Sequence, residues 1–338
     1  MTGRRNAPLI RLADPNGRTL PIESGATYPP GTRVEVETDR YRARVATEGY
    51  VSGIVGGSFE DKQTGARDLG FGLDVVDFLL EPAPADAPIP EGQYDFGNLV
   101  HGNLPKRYVE GPQICTQAKL LAPTVFLGDG FVAITLRHEW TISYPPHDRA
   151  GSVWEQTLIF PDRERFFLAS DRVTTVAESP CLFLRIDLPG HIKHRQGEGF
   201  EHVFLSYADP PTIPSTEFAA DFPPDARFLY RRQDGPPPER FIRSYQVPEG
   251  PWLAGMTLRP DDVYQAWCHQ RGYVCMIQEI GGRPTRPGDT FGAAYLIGWF
   301  DDIEAMERAY DRHRGISSWE IDLEDGKPAR FRGVPGSG

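Results

Sequence analysis

Histidine and glutamate side chains recur where the strand-like runs of this chain break. Together they form the natural acid–base couple near neutral pH, because imidazole titrates there and a desolvated carboxyl rises toward it. Polar residues gather in short segments set in apolar sequence. One is His101-Gly102-Asn103-Leu104-Pro105-Lys106-Arg107-Tyr108, and another is Pro189-Gly190-His191-Ile192-Lys193-His194. A third is Tyr230-Arg231-Arg232, continued by Arg240, Arg243 and Tyr245. The last is Trp267-Cys268-His269-Gln270-Arg271 with Gln278-Glu279-Ile280-Gly281-Gly282. Each is expected at a strand end or in a loop, where β folds carry their functional groups. His101 or His191 facing Glu279 would pass protons to and from a sugar hydroxyl, a ring oxygen or an α-carbon. Taken singly, each of these residues reads as an ordinary core or surface group, so the chemistry rests on their joint placement.

The same segments hold many cations: Lys106, Arg107, Lys193, Arg231, Arg232, Arg243 and Arg271. Guanidinium forks match carboxylates and sulfates, which points to an acidic, uronate-containing saccharide. Neutralising a uronate also acidifies its C5 proton, as β-elimination requires. The competing reading is that these cations pair with the chain's 47 Asp and Glu residues. His191, His194 and His202 are near in sequence, but His-x-x-His on a strand or loop is a poor ligand pattern, so no metal and no cofactor are expected. Gly53-Ile54-Val55-Gly56-Gly57-Ser58 lacks the following Gly-Lys-Ser/Thr and helix of a phosphate loop.

The elements that must position these groups read as strands. The 35 Gly and 32 Pro of the 338 residues are spread along the chain and punctuate many short segments. Alternating or apolar runs at 71–80, 131–136, 153–160, 165–173, 181–187, 273–277 and 291–299 predict an all-β sandwich with a few short helices. Pro260-Asp261-Asp262 opens an expected helix through Trp267, and Asp301-Asp302 opens another to about Arg312. Residues 1–50 are expected to be a β extension of the same domain, residues 51–332 the sandwich, and residues 333–338 a frayed tail. The net charge of −11 argues against nucleic acid or an anionic membrane as partner. No apolar run is long enough to span a membrane. With no secretory signal visible, and Cys115, Cys181, Cys268 and Cys275 reading as buried reduced thiols, a cytoplasmic location is expected, a secreted chain with its signal removed being the alternative.

The order of these pieces resembles the galactose mutarotase-like family, which includes the aldose epimerases. The resemblance runs through the His101-Gly102 turn and the phrase Leu158-Ile159-Phe160-Pro161 followed by Ser170-Asp171-Arg172-Val173. It continues through His191 (or His194) to Glu279, Arg286-Pro287-Gly288-Asp289-Thr290 and the strand to Trp299. It implies a β-supersandwich with a sugar cleft, Glu279 as general base, His191 as general acid and His101 as an orienting or electrophilic partner. Arg67, in Gly65-Ala66-Arg67-Asp68, stands where the family's sugar-binding arginine does. The family's Asn-His-x-Tyr/Phe phrase is missing around His191. Lys106, Arg107, Lys193, His194, Arg231, Arg232, Tyr245, His269 and Arg271 complete the expected saccharide-binding set. Epimerase or mutarotase action, β-elimination, carbohydrate binding without catalysis, and glycoside hydrolysis with Glu110 or Glu155 as second carboxylate all stay open.

Overall fold

The computed structural model describes residues 8–47, 53–84, 86, 88, 100–101, 104–117, 119–194, 199–222, 227–270, 272–324 and 326–336. Five strands carry the site: β1 (Val75–Pro82), β2 (Leu104–Gly111), β3 (Ser179–Ile192), β4 (Val263–Gln270) and β5 (Val274–Thr285). They lie side by side in the order β2-β1-β3-β5-β4 within an eight-stranded antiparallel sheet, edged by Ile142–Ser143 and Tyr230–Arg231. A ten-stranded antiparallel sheet faces it. Its central strands are Phe131–Glu139, Val153–Pro161, Phe166–Thr174, Thr290–Phe300, Trp252–Thr257 and Phe241–Gln246. The chain is an all-β sandwich.

Side-chain alternation explains how one sheet serves two purposes. Leu182, Leu184 and Ile186 of β3, with Met276 and Ile280 of β5, point inward and pack on Leu158, Phe167, Ala169, Leu253 and Ile297 of the opposite sheet. Their neighbours point to the outer face of the eight-stranded sheet, and there polar groups replace apolar ones. The ten-stranded sheet's own outer face is apolar instead. It is covered by helix α1 (Ile303–His313), through Met306, Ala309 and Tyr310, and by a hairpin bearing Trp319 and Phe331.

Two expectations change. The residues from Val263 to Trp267 are strand, not helix: Pro260–Asp262 makes a single 3₁₀ turn and β4 follows at once. The helix-start signal was real but ran only one turn, because Val263-Tyr264-Gln265-Ala266-Trp267 is β-branched and aromatic and pairs with β5. The C-terminal residues Gly333–Pro335, expected as tail, belong to a strand (Arg330–Pro335) paired with Ile316–Asp322. The N-terminal strands Leu9–Ala13, Arg33–Glu37 and Tyr41–Ala46 form a separate sheet, which extends to Glu60–Asp61 and shares its core with the sandwich. Among the described residues, no helix is long and apolar enough to cross a membrane.

Candidate functional site

Three rows of side chains cross the outer face of the eight-stranded sheet. In the first, Arg185 of β3, Glu279 of β5 and Gln265 of β4 are register partners on adjacent strands. Glu279 is wholly buried. Its Oε1 accepts from the Arg185 guanidinium at 2.7 and 3.1 Å, and its Oε2 accepts from Gln265 at 2.5 Å and pairs with Lys106 Nζ at 3.2 Å. Lys106 and Arg185 are also held over the Trp267 ring, 5.9 and 5.5 Å from its centroid. Burial alone would raise the Glu279 carboxyl, but Lys106 and Arg185 outweigh it, and the group is held below its ordinary range. Glu279 is therefore ionised at neutral pH.

In the second row Asp187 lies opposite Ile277, which lies opposite Trp267. In the third, His191 lies opposite Cys275, which lies opposite His269. A bulge places both Asp187 and His191 on this face. Four residues of β3 advance while β5 advances only two, and Gly190 takes φ +86° within the bulge. The Cβ of any other residue at 190 would meet the Gly72 carbonyl oxygen at 1.6 Å, so only glycine fits.

His191 Nε2 is hydrogen-bonded to Asp187 Oδ2. Burial would lower the imidazole's pKa, but Asp187 and Cys275 raise it well above its ordinary value. Burial pushes the Cys275 thiol up to about 11, with His191 opposing. Asp77 is raised to about 6, by burial first and Asp187 next. Tyr273 stacks on His191 with ring centroids 5.2 Å apart, and Phe71 meets His191 edge-on at 6.4 Å.

Of the residues expected from sequence, this face brings together Glu279, Lys106, His191 and His269. Lys193 lies at its margin with Nζ 5.0 Å from the Phe71 centroid. His194 instead packs on Phe200, ring centroids 4.8 Å apart. Arg107 alternates to the other side of β2 and pairs with Glu81 at 2.6 Å. Arg67 is exposed, pairs with Glu60 at 2.6 Å and borders a different hollow with Leu69, Pro248 and Asp301. Arg231 pairs with Asp234 at 2.6 Å. Tyr245 is buried between the sheets, where its hydroxyl accepts from Leu69 N at 2.8 Å. Arg243 is likewise internal and donates to the Ile277 carbonyl at 2.8 Å. His101 sits in a two-residue strand (Val100–His101) and its side chain lies outside the described residues, as does Arg271.

Arg185, Asp187, Gln265 and Cys275 were missed from sequence. Their signal was present: a charge on every second residue of an apolar run, Arg185 and Asp187 within Cys181–Asp187, marks a strand whose second face is polar.

Beside the first row, a cavity of about 650 Å³ opens where β5 continues past Glu279 to Gly281 and Arg283. Arg232, Arg259, Asp261, Asp262 and Phe291 also line it. Arg232 donates to the carbonyls of Asp261 at 2.6 Å and Gly281 at 3.2 Å, and Arg283 donates to the Thr290 carbonyl. Arg283 also acts electrostatically on the Asp262 carboxylate. No protein-family model matches this chain, and no curated protein matches it.

Proposed function

We propose that this chain is a carbohydrate-active enzyme that works by acid–base chemistry on the outer face of the eight-stranded sheet, as an epimerase or mutarotase or as a β-eliminating lyase. The observation that carries the reading is Glu279: a wholly buried carboxylate gripped by Lys106, Arg185 and Gln265 on the sheet face turned away from the core. Burying such charges costs several kcal/mol, and buried charge networks with shifted pKa values concentrate at functional sites. Glu279 forms the basic end and Asp187, His191 and Cys275 the acidic end. Cys275 and Glu279 are four residues apart on β5, which is about 13 Å of strand, a span longer than one sugar ring.

The saccharide is anionic in this reading, and its acidic group enters the cavity beside Gly281. Arg232 and Arg283 border that cavity, where they donate to backbone carbonyls beside Asp261 and Asp262, and they are the groups that would receive a uronate or sulfate. The galactose mutarotase-like resemblance agrees with a sandwich that works from one sheet face.

A panel of neutral and uronate-containing sugars tests this. NMR reads anomer or C5-epimer exchange, and ultraviolet absorbance reads an unsaturated uronate. Wild type is expected to turn over at least one sugar, and Glu279→Gln to keep binding and lose turnover by about 10²-fold or more. Binding with no turnover by wild type would make the chain a carbohydrate-binding protein instead.

A further inference from the structure

Asp187, His191 and Cys275 each offer one ligand atom, and these atoms all lie within 4.8 Å of one another. All three residues are buried, at 2, 8 and 3% exposure. Two further observations point to a cation site. Among the described residues, Asp187 Oδ1 is buried without a hydrogen-bond partner, although its carboxylate sits in the cluster. The cluster also packs a second carboxylate close by, since Asp77 interacts electrostatically with both Asp187 and His191. Carboxylate, imidazole and thiol crowded in a buried cluster are what a divalent cation stabilises, and what is costly to bury without one.

We infer that Asp187, His191 and Cys275 bind one divalent transition-metal ion, zinc by ligand type, at the acidic end of the sheet face. The mixed O, N and S set matches a borderline-soft ion, and three protein ligands leave a fourth position for water or substrate. In a tetrahedral site, ligand atoms sit roughly 3.3–3.8 Å apart, given metal–ligand distances of about 2.0–2.3 Å. The cluster reaches that spacing when the His191–Asp187 hydrogen bond opens and Asp187 turns its unpartnered Oδ1 inward. The bulge at Gly190 sets the approach of Asp187 and His191, and Cys275 faces them from β5. Binding releases two protons to solvent, one from the Cys275 thiol and one shared between His191 and Asp187, and no bond to carbon changes. The location rests on the proposed reaction face, but the ion does not depend on any sugar.

The test uses the full chain, stripped with a chelator and then titrated with Zn²⁺ or Co²⁺ without saccharide. Elemental analysis is expected to find about one ion per chain. Co²⁺ is expected to give a thiolate charge-transfer band in the near ultraviolet and visible bands of a four-coordinate site, and titration in weak buffer to release protons. Cys275→Ser is expected to lose the thiolate band, while Cys115→Ser and Cys268→Ser keep it. A folded wild-type chain that takes up no ion, or a band that survives Cys275→Ser, overturns the inference. Ion binding without turnover of any sugar upholds it and removes the carbohydrate reading. Turnover by a chain that takes up no ion does the reverse.

Discussion

A buried carboxylate with two cations tolerates the loss of either one poorly, because the remaining charges keep their desolvation cost without full repayment. Lys106→Met leaves Glu279 to Arg185 and Gln265, and is expected to lower the free energy of unfolding by about 3 kcal/mol. Glu279→Gln alone strands both Lys106 and Arg185, whereas Lys106→Met with Glu279→Gln strands Arg185 only, so the double variant is expected to lose less than the sum of the two single losses. Urea unfolding of both single variants and the double variant measures the coupling, and strictly additive losses would mean that the pair is not coupled. A second residue-scale effect lies between the sheets. Asp171 accepts from Trp154 Nε1 at 2.9 Å and from Gln156 at 3.3 Å, and burial raises its carboxyl to about 7, beside Asp74, which burial and Asp171 raise well above its ordinary value. A carboxyl raised in the folded state binds its proton more tightly there than in the unfolded chain, where its pKa is about 4. The stabilisation is fully present below about pH 4 and is lost as pH rises through about 7, with a slope of up to about 1.4 kcal/mol per pH unit. Asp171→Asn is therefore expected to flatten the fall in stability between about pH 4 and pH 7, compared as urea midpoints with wild type. Parallel curves would show that Asp171 does not carry the effect.

Strand alternation decides which residues meet, and it explains what the sequence made legible. Lys106 and Glu279 were visible as charged residues in apolar strands. Arg107 was grouped with Lys106 by proximity, although adjacent strand residues point to opposite faces, and the same oversight concealed Arg185 and Asp187. Tyr245 and Arg243 were assigned to saccharide because they are polar, but they satisfy backbone groups, Leu69 N and the Ile277 carbonyl, inside the sandwich. The bulge in β3 had no sequence signal beyond Pro189-Gly190, yet it brings His191 within hydrogen-bond reach of Asp187. Gly190→Ala is expected to destabilise the chain by about 2–3 kcal/mol, because it forces a Cβ into positive φ and against the Gly72 carbonyl. It should also displace His191, so Co²⁺ uptake should weaken along with the urea midpoint. An unchanged midpoint would show that the bulge relaxes without cost.

At the scale of the molecule, residues 1–50 were expected as a β extension of the same domain, but how their sheet locks onto the sandwich was not legible, because a half-buried alternating strand looks the same in an appendage and in a core. Tyr41 packs on Phe59 and Phe160 with ring centroids 5.3 and 6.5 Å apart, and Phe59 stacks on Trp299 at 5.9 Å. Ile10, Leu12, Val34, Val36 and Val45 bury their outer rows in the same cluster. Arg165, next to a strand of the ten-stranded sheet, pairs with Asp61 of the N-terminal sheet at 2.8 Å. Gly25 N and Tyr28 N bond to the carbonyls of Val125 and Pro123 at 2.7 and 2.9 Å. Each buried aliphatic or aromatic side chain contributes about 1.5–3 kcal/mol, and whole domains are stable by only about 5–15 kcal/mol. Uncovering this many at once exceeds what the rest of the fold has to spare. The full chain is therefore expected to unfold in one transition, coincident by tryptophan fluorescence and far-ultraviolet circular dichroism. A chain beginning at residue 48 is expected to show no cooperative transition, or to aggregate through the exposed Phe59, Phe160 and Trp299 surface. If the shortened chain unfolds cooperatively at the full chain's midpoint, the N-terminal sheet is an independent appendage and the single-core account is wrong.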